Sequence, residues 1–139
     1  MTNIYGFSKI TMKWLGGWLS GGLEIMDLPK VVIKECKPYL LQTEKQVTLY
    51  KAVKDNDIIE DDLYKNRYPS SWTYSFEVAA NFNEGLDLGI IKLMASNSMV
   101  LIDTTNIDSN FIESKFSGFP EEEEVIILPG EYRIEYVDV

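Results

Sequence analysis

Histidine is absent from this chain, so the side chain that most often carries protons near neutral pH, and most often binds zinc, takes no part in what it does. Any proton chemistry falls to carboxylates or water. A single cysteine, Cys36, excludes an internal disulfide. Basic residues are few, 13 Lys and Arg against 22 Asp and Glu, and the net charge of −9 is the reverse of the footprint left by proteins that grip nucleic acid through its phosphates. Nucleic-acid binding is therefore not expected. Apolar runs approaching the ~20 residues of a membrane span are missing, and the start, MTNIYGFSKITMKW, lacks the basic flank, apolar block and cleavage site of a signal peptide. A cytoplasmic protein without membrane contact is the default expectation, although a toxin exported by another route would look the same. There is no internal repeat, and no Pro/Gly/Ser linker divides the chain, so residues 1–139 are expected to form one domain.

What is present is enough for a core. With 45% hydrophobic and 12% aromatic residues over 139 positions, a single domain buries roughly two thirds of its unfolded surface and needs no structural metal. Residues 8–28 place Trp14, Leu15, Trp18 and Leu19 at helical spacing, with Gly16, Gly17, Gly21 and Gly22 weakening any helix there. Two readings stand for this stretch, a membrane-surface segment and a helix packed on the core. Pro29 suits a first helical turn, and Val32, Ile33, Cys36, Tyr39 and Leu40 then fall near one face of a helix ending near Pro38. From Val47 the texture changes. VTLYKAV, LGIIKLMA and SMVLID read as strands, SFEVAANFNEG as a short helix closed by Gly85, and EEVIILP with EYRIEYV as a last strand pair joined by a tight turn at Pro129 and Gly130. Helices first and strands after make an α+β domain, with 1–45 a helical lead-in and 46–139 the core.

The glutamates at 121–124 read on their own as a solvated charged face. Their context opens a second reading, because the run passes directly into VIIL. In one continuous strand Glu122, Glu124, Ile126 and Leu128 would share a face, holding two carboxylates side by side where repulsion and desolvation raise a pKa.

FPEEEEVIILPG (119–130) resembles the Glu-x-Glu strand, aliphatic run and proline turn of the Arg-Ser-Glu class of mono-ADP-ribosyltransferases, which includes bacterial toxins, vertebrate ecto-enzymes and phage-encoded transferases. Glu124 matches the catalytic glutamate and Glu122 the first of the pair. SSWTYSFEVAANF (70–82) is similar to the family's Ser-Thr-Ser strand and following helix, with Ser71 at the leading serine and Thr73 where the second serine stands. The early strand that ends in an aromatic and an arginine reads TLYKAVK, placing Tyr50 at the aromatic and Lys51 in the arginine's position. Lysine offers a phosphate a point charge and not the two-pronged contact of a guanidinium. The resemblance covers about residues 47–137.

The resemblance implies a core of two packed antiparallel or mixed sheets, NAD as substrate, and transfer of ADP-ribose to a protein acceptor by a monomer. Glu124 would stabilise the cation-like ribose left when nicotinamide departs, and Ser71 would hold Glu124 in place. Glu122 would orient an arginine of the acceptor and take its proton. Tyr50, Lys51, Arg67, Ser71, Trp72 and Thr73 would line the NAD site, with Lys54, Lys65 and Arg67 supplying local positive charge. Trp72, Tyr74, Phe76 and Phe82 are stacking candidates and equally core residues. Phe116 and Phe119 are candidates to meet the acceptor or to anchor their own loop. Asp103, Thr104 and Thr105 read as ligand contacts or as a strand end with a cap. The small size and motif layout suggest a phage or mobile-element effector acting on a host protein. The main alternative is a catalytically inactive protein of the same fold that inhibits a partner by covering its basic surface; a second is an antitoxin or immunity-type structural partner, which the negative charge would suit.

Overall fold

A computed structural model describes residues 3–21 and 27–137. Two helices open the chain, α1 (Lys9–Leu19) and α2 (Lys30–Cys36). Nine strands follow: β1 (Val47–Ala52), β2 (Ile58–Glu60), β3 (Leu63–Asn66), β4 (Ser70–Thr73), β5 (Ile90–Ala95), β6 (Val100–Asp103), β7 (Glu124–Ile127), β8 (Gly130–Arg133) and β9 (Glu135–Val137). Helix α3 (Phe76–Asn83) lies between β4 and β5, and α4 (Ser109–Phe116) between β6 and β7. The α+β expectation stands, with all described pairings antiparallel. None of the described helices is long and apolar enough to cross a membrane.

The strands form a six-stranded sheet in the order β6-β7-β4-β1-β5-β9 and a three-stranded sheet, β2-β3-β8. This corrects the expected terminal hairpin. Strand β7 sits between β6 and β4, β8 crosses to the small sheet beside β3, and β9 returns to the edge at β5. Gly130, at φ 158, turns the chain where the two sheets part, and a Cβ there would lie 2.9 Å from the Tyr132 hydroxyl.

Each face of the large sheet carries its own core. Leu49, Trp72, Ile91, Leu93, Val125 and Ile127 point toward the small sheet, meeting Tyr64 and Ile134. Ile126 points the other way, into a cluster with Trp14, Leu15, Trp18, Val32 and Phe116 from the helices. Strand alternation thus sorts VII between two cores, and Val125, Ile126 and Ile127 are all fully buried.

Helix α1 forms through its glycines. Ser8 caps it by accepting from the Thr11 amide, and Trp14, Leu15, Trp18 and Leu19 make one buried stripe. Burial of that stripe outweighs the glycine penalty, on the order of 1 kcal/mol each. Gly16 faces Phe116 of α4, where an added Cβ would be 3.7 Å away. The closest approach is at Gly118, where a Cβ would come within 2.8 Å of Ile112 and 3.2 Å of Leu19. Of the segment 8–28, positions 22–26 lie outside the described residues.

Candidate active site

Strands β1 and β4 meet at one pair alone, Tyr50 opposite Thr73, whereas β1 runs beside β5 from Val47 to Ala52. Beyond that pair the two strands diverge. The gap gives residues of both sheet faces access to one cleft of about 700 Å³. Tyr50, Lys51 and Ala52 line it from β1, and Ser70, Ser71, Trp72 and Thr73 from β4. Trp18 and Leu19 of α1, Ala79 and Phe82 of α3, and Glu122 and Glu124 also line it.

Glu124 is the first residue of β7, level with Thr73 across the β4 pairing and therefore on the same face as Ser71. Ser71 Oγ donates to Glu124 Oε2 at 2.6 Å. The indole N–H of Trp18 reaches the same carboxylate oxygen at 3.0 Å and Ser71 Oγ at 2.8 Å. Burial pushes the Glu124 carboxyl up to about 7; the hydrogen bonds from Ser71 and Trp18 and the charge of Lys54 oppose the rise, and Glu122 adds to it.

The four glutamates do not form one strand, which corrects the continuous-strand expectation. Pro120–Glu122 is a turn of 3-10 helix, and Glu123 adopts a left-handed conformation (φ 47, ψ 49) before β7 begins. This kink is held by the carbonyls of the glutamates. Thr73 Oγ1 donates to Glu122 O at 2.6 Å, the Tyr74 amide to Glu123 O at 3.4 Å, and Thr104 Oγ1 to Glu124 O at 2.6 Å. Glu122 still reaches the cleft, by the turn and not by strand alternation. Partial burial, with Glu121 beside it, holds its carboxyl above the ordinary range.

Lys51 is buried on the opposite side of the gap, where its ammonium bonds Asp57 at 2.8 Å and the Ala52 carbonyl at 3.3 Å. Asp57 also accepts from the Lys54 amide at 2.8 Å and the Tyr64 hydroxyl at 3.0 Å, and Asn66 donates to that hydroxyl at 3.1 Å. The side chains of Lys51 and Asp57 are each only 8% exposed, so the charges answer one another out of bulk water. Lys54, Lys65 and Arg67 line the cleft nearby, with Arg67 and Lys54 exposed.

The aromatic candidates divide. Trp72 is a core residue against Tyr64 that donates to Ser70 Oγ at 2.8 Å, touching the cleft only in part. Tyr74 donates to Asp103 at 2.6 Å, and Phe76 packs edge-on against Tyr50. Phe82 is 56% exposed on the cleft wall and Phe119 53% exposed at its rim, whereas Phe116 is core. Asp103 caps the short turn after β6 by accepting from Thr105, so this trio serves the fold. The residue that sequence reasoning missed is Trp18. No protein-family model matches this chain, and no curated protein or solved structure matches it significantly.

Proposed function

We propose that the protein is an NAD-dependent mono-ADP-ribosyltransferase acting on arginine of a protein acceptor. The observation that carries the reading is the Ser71–Glu124 pair: a serine and a glutamate on neighbouring strands, bonded at 2.6 Å and lining a cleft, with the carboxyl near neutral pKa. Carboxylates perturbed by desolvation in a cleft are candidates for functional groups. A volume of about 700 Å³ falls within the range of small-molecule sites and suits a dinucleotide laid along the gap.

In this reading the bond between nicotinamide and the ribose anomeric carbon breaks with its electron pair leaving on nicotinamide. Ionised Glu124 stabilises the positive charge that develops on the sugar, an interaction stronger in the transition state than with the neutral ribose. The acceptor guanidinium is steered by Glu122, which takes the proton released as nitrogen bonds to the anomeric carbon. Lys54, Lys65 and Arg67 attract the diphosphate, offsetting an overall charge of −9.

The pairing of Lys51 with Asp57 favours a second reading, a binding protein without catalysis, because it occupies the ammonium that would face a phosphate. Incubation of the protein with labelled NAD and a bacterial lysate separates the two. Labelled protein bands that disappear in Glu124→Gln support the transferase; intact NAD after prolonged incubation supports the binding protein.

A further inference from the structure

Trp18 lies outside every segment that the sequence ties to the reaction. Yet it closes a ring of three hydrogen bonds, donating to Ser71 Oγ at 2.8 Å and Glu124 Oε2 at 3.0 Å while Ser71 donates to that same oxygen at 2.6 Å. A tryptophan that merely filled space would need no such aim; a phenylalanine or leucine would bury as well. The indole is itself held in place. It stacks on Trp14 with centroids 5.2 Å apart and planes 10° apart, and Trp14 in turn donates to the Asp27 carbonyl at 3.0 Å.

Both donors converge on Oε2, and among the described residues Oε1 accepts no hydrogen bond. The carboxylate is thereby locked by one oxygen against the wall formed by α1 and β4. Its other oxygen is left for the cleft.

We infer that Trp18 is a positioning residue: its indole N–H favours the charged form of Glu124 and fixes its aim, making the N-terminal helix an integral part of the reactive site. The inference rests on the reading of Glu124 as the reactive carboxylate. The groups that bear on this carboxyl are Ser71 of β4 and Trp18 of α1 as donors, Lys54 after β1 as a cation, and Glu122 of the preceding turn as a like charge. Of the two donors, only Trp18 comes from outside the sheet. A hydrogen bond to an ionised acceptor is about twice as strong as a neutral one, and deletion of this donor removes stabilisation from the charged form alone.

The test is to titrate Glu124 directly, by carbon-13 NMR of the glutamate carboxyls with the Glu124 signal assigned from Glu124→Gln, in wild type and in Trp18→Phe. The midpoint should move up by about one pH unit, the equivalent of one modest charge-assisted hydrogen bond. Turnover lost at pH 7 should return as the pH is raised past the new midpoint, a recovery that misfolding would not give. Because Trp18→Phe also trims the ring, a second protein carrying benzothienylalanine at position 18 keeps the bicycle and replaces N–H by sulfur; it should show the same shift. An unchanged midpoint in the benzothienylalanine protein overturns the inference. The titration needs no substrate, so wild-type protein inert toward NAD would sink the transferase reading separately.

Discussion

Ser71 and Glu124 stand 53 positions apart in the chain and 2.6 Å apart in space, joined because β4 and β7 are neighbours and their register sets both side chains on one face. The hydroxyl donates, the carboxylate accepts, and burial around them works against the charge that the bond supports.

Glu124→Gln keeps the shape and removes the charge. Loss of NAD cleavage and of transfer is expected, by about a hundredfold or more, the scale found for preorganised electrostatic groups. Turnover like that of wild type would remove Glu124 from the mechanism.

The same substitution should act on stability with a definite sign. A carboxyl raised from 4.5 to about 7 binds more protons folded than unfolded between those values, so stability falls as pH rises through that window. Gln pays no such penalty. At pH 8, Glu124→Gln should therefore be more stable than wild type by about 1–3 kcal/mol, and the difference should shrink below pH 5. Thermal melts at the two pH values check it; a variant less stable at pH 8 contradicts it.

Turnover of wild type should climb with pH through a midpoint near 7, because the ionised form of Glu124 is the useful one. A rate profile flat from pH 5.5 to 8.5 with chemistry limiting would mean that another group does the work.

Glu122 touches the acceptor and not the sugar in this scheme, so Glu122→Gln should lose transfer to arginine and retain slow NAD hydrolysis. Mass spectrometry of lysate proteins locates the modified side chain. Modification found consistently on serine, cysteine or a nucleic-acid base refutes the arginine assignment and leaves Glu124 untouched.

The pairing of Lys51 with Asp57 gives opposite expectations for its two members. Lys51→Ala leaves a buried anion beside the cleft, which should cost about 3–5 kcal/mol of stability and raise the KM for NAD. Asp57→Asn lifts that negative charge while an amide oxygen still accepts from Tyr64, so KM should fall. Equal effects of both substitutions on KM would show that Lys51 does not influence the anion.

Much of this architecture could be read in advance, for reasons that particular residues make plain. β1, β5 and β6 announce themselves as apolar runs, and α3 carries its own cap in Ser75 and its own stop at Gly85, which has φ 89. Ser71 and Glu124 stand out through the resemblance of the segments around them to a known family's strands. Glu122 reaches the cleft through a turn that the sequence does not announce. Four identical residues give no local hint that Glu123 turns left-handed, since the hydroxyls that hold the kink belong to Thr73 and Thr104, distant in sequence. β2 and β3 are short and carry no clean alternation, and α4 has little to mark it beyond Asp108 at its cap. Trp18 was hidden by its neighbours: in a stripe with Trp14, Leu15 and Leu19 it reads as packing, and its partner oxygen is 106 residues away.

The place of β7 in the sheet has a consequence for how the chain acquires reactivity. Its neighbours, β4 and β6, are both synthesised before it, so the slot between them can be filled only after they exist. Contacts spanning such distances form slowly, because the intervening chain must be closed into a loop first. The carboxylate and its serine are thus brought together by the closure of the sheet itself, and the indole joins them when α1 packs on that face. A chain in which β7 has not yet been inserted lacks the Ser71–Glu124 contact, and under the transferase reading NAD consumption would report completion of the sheet.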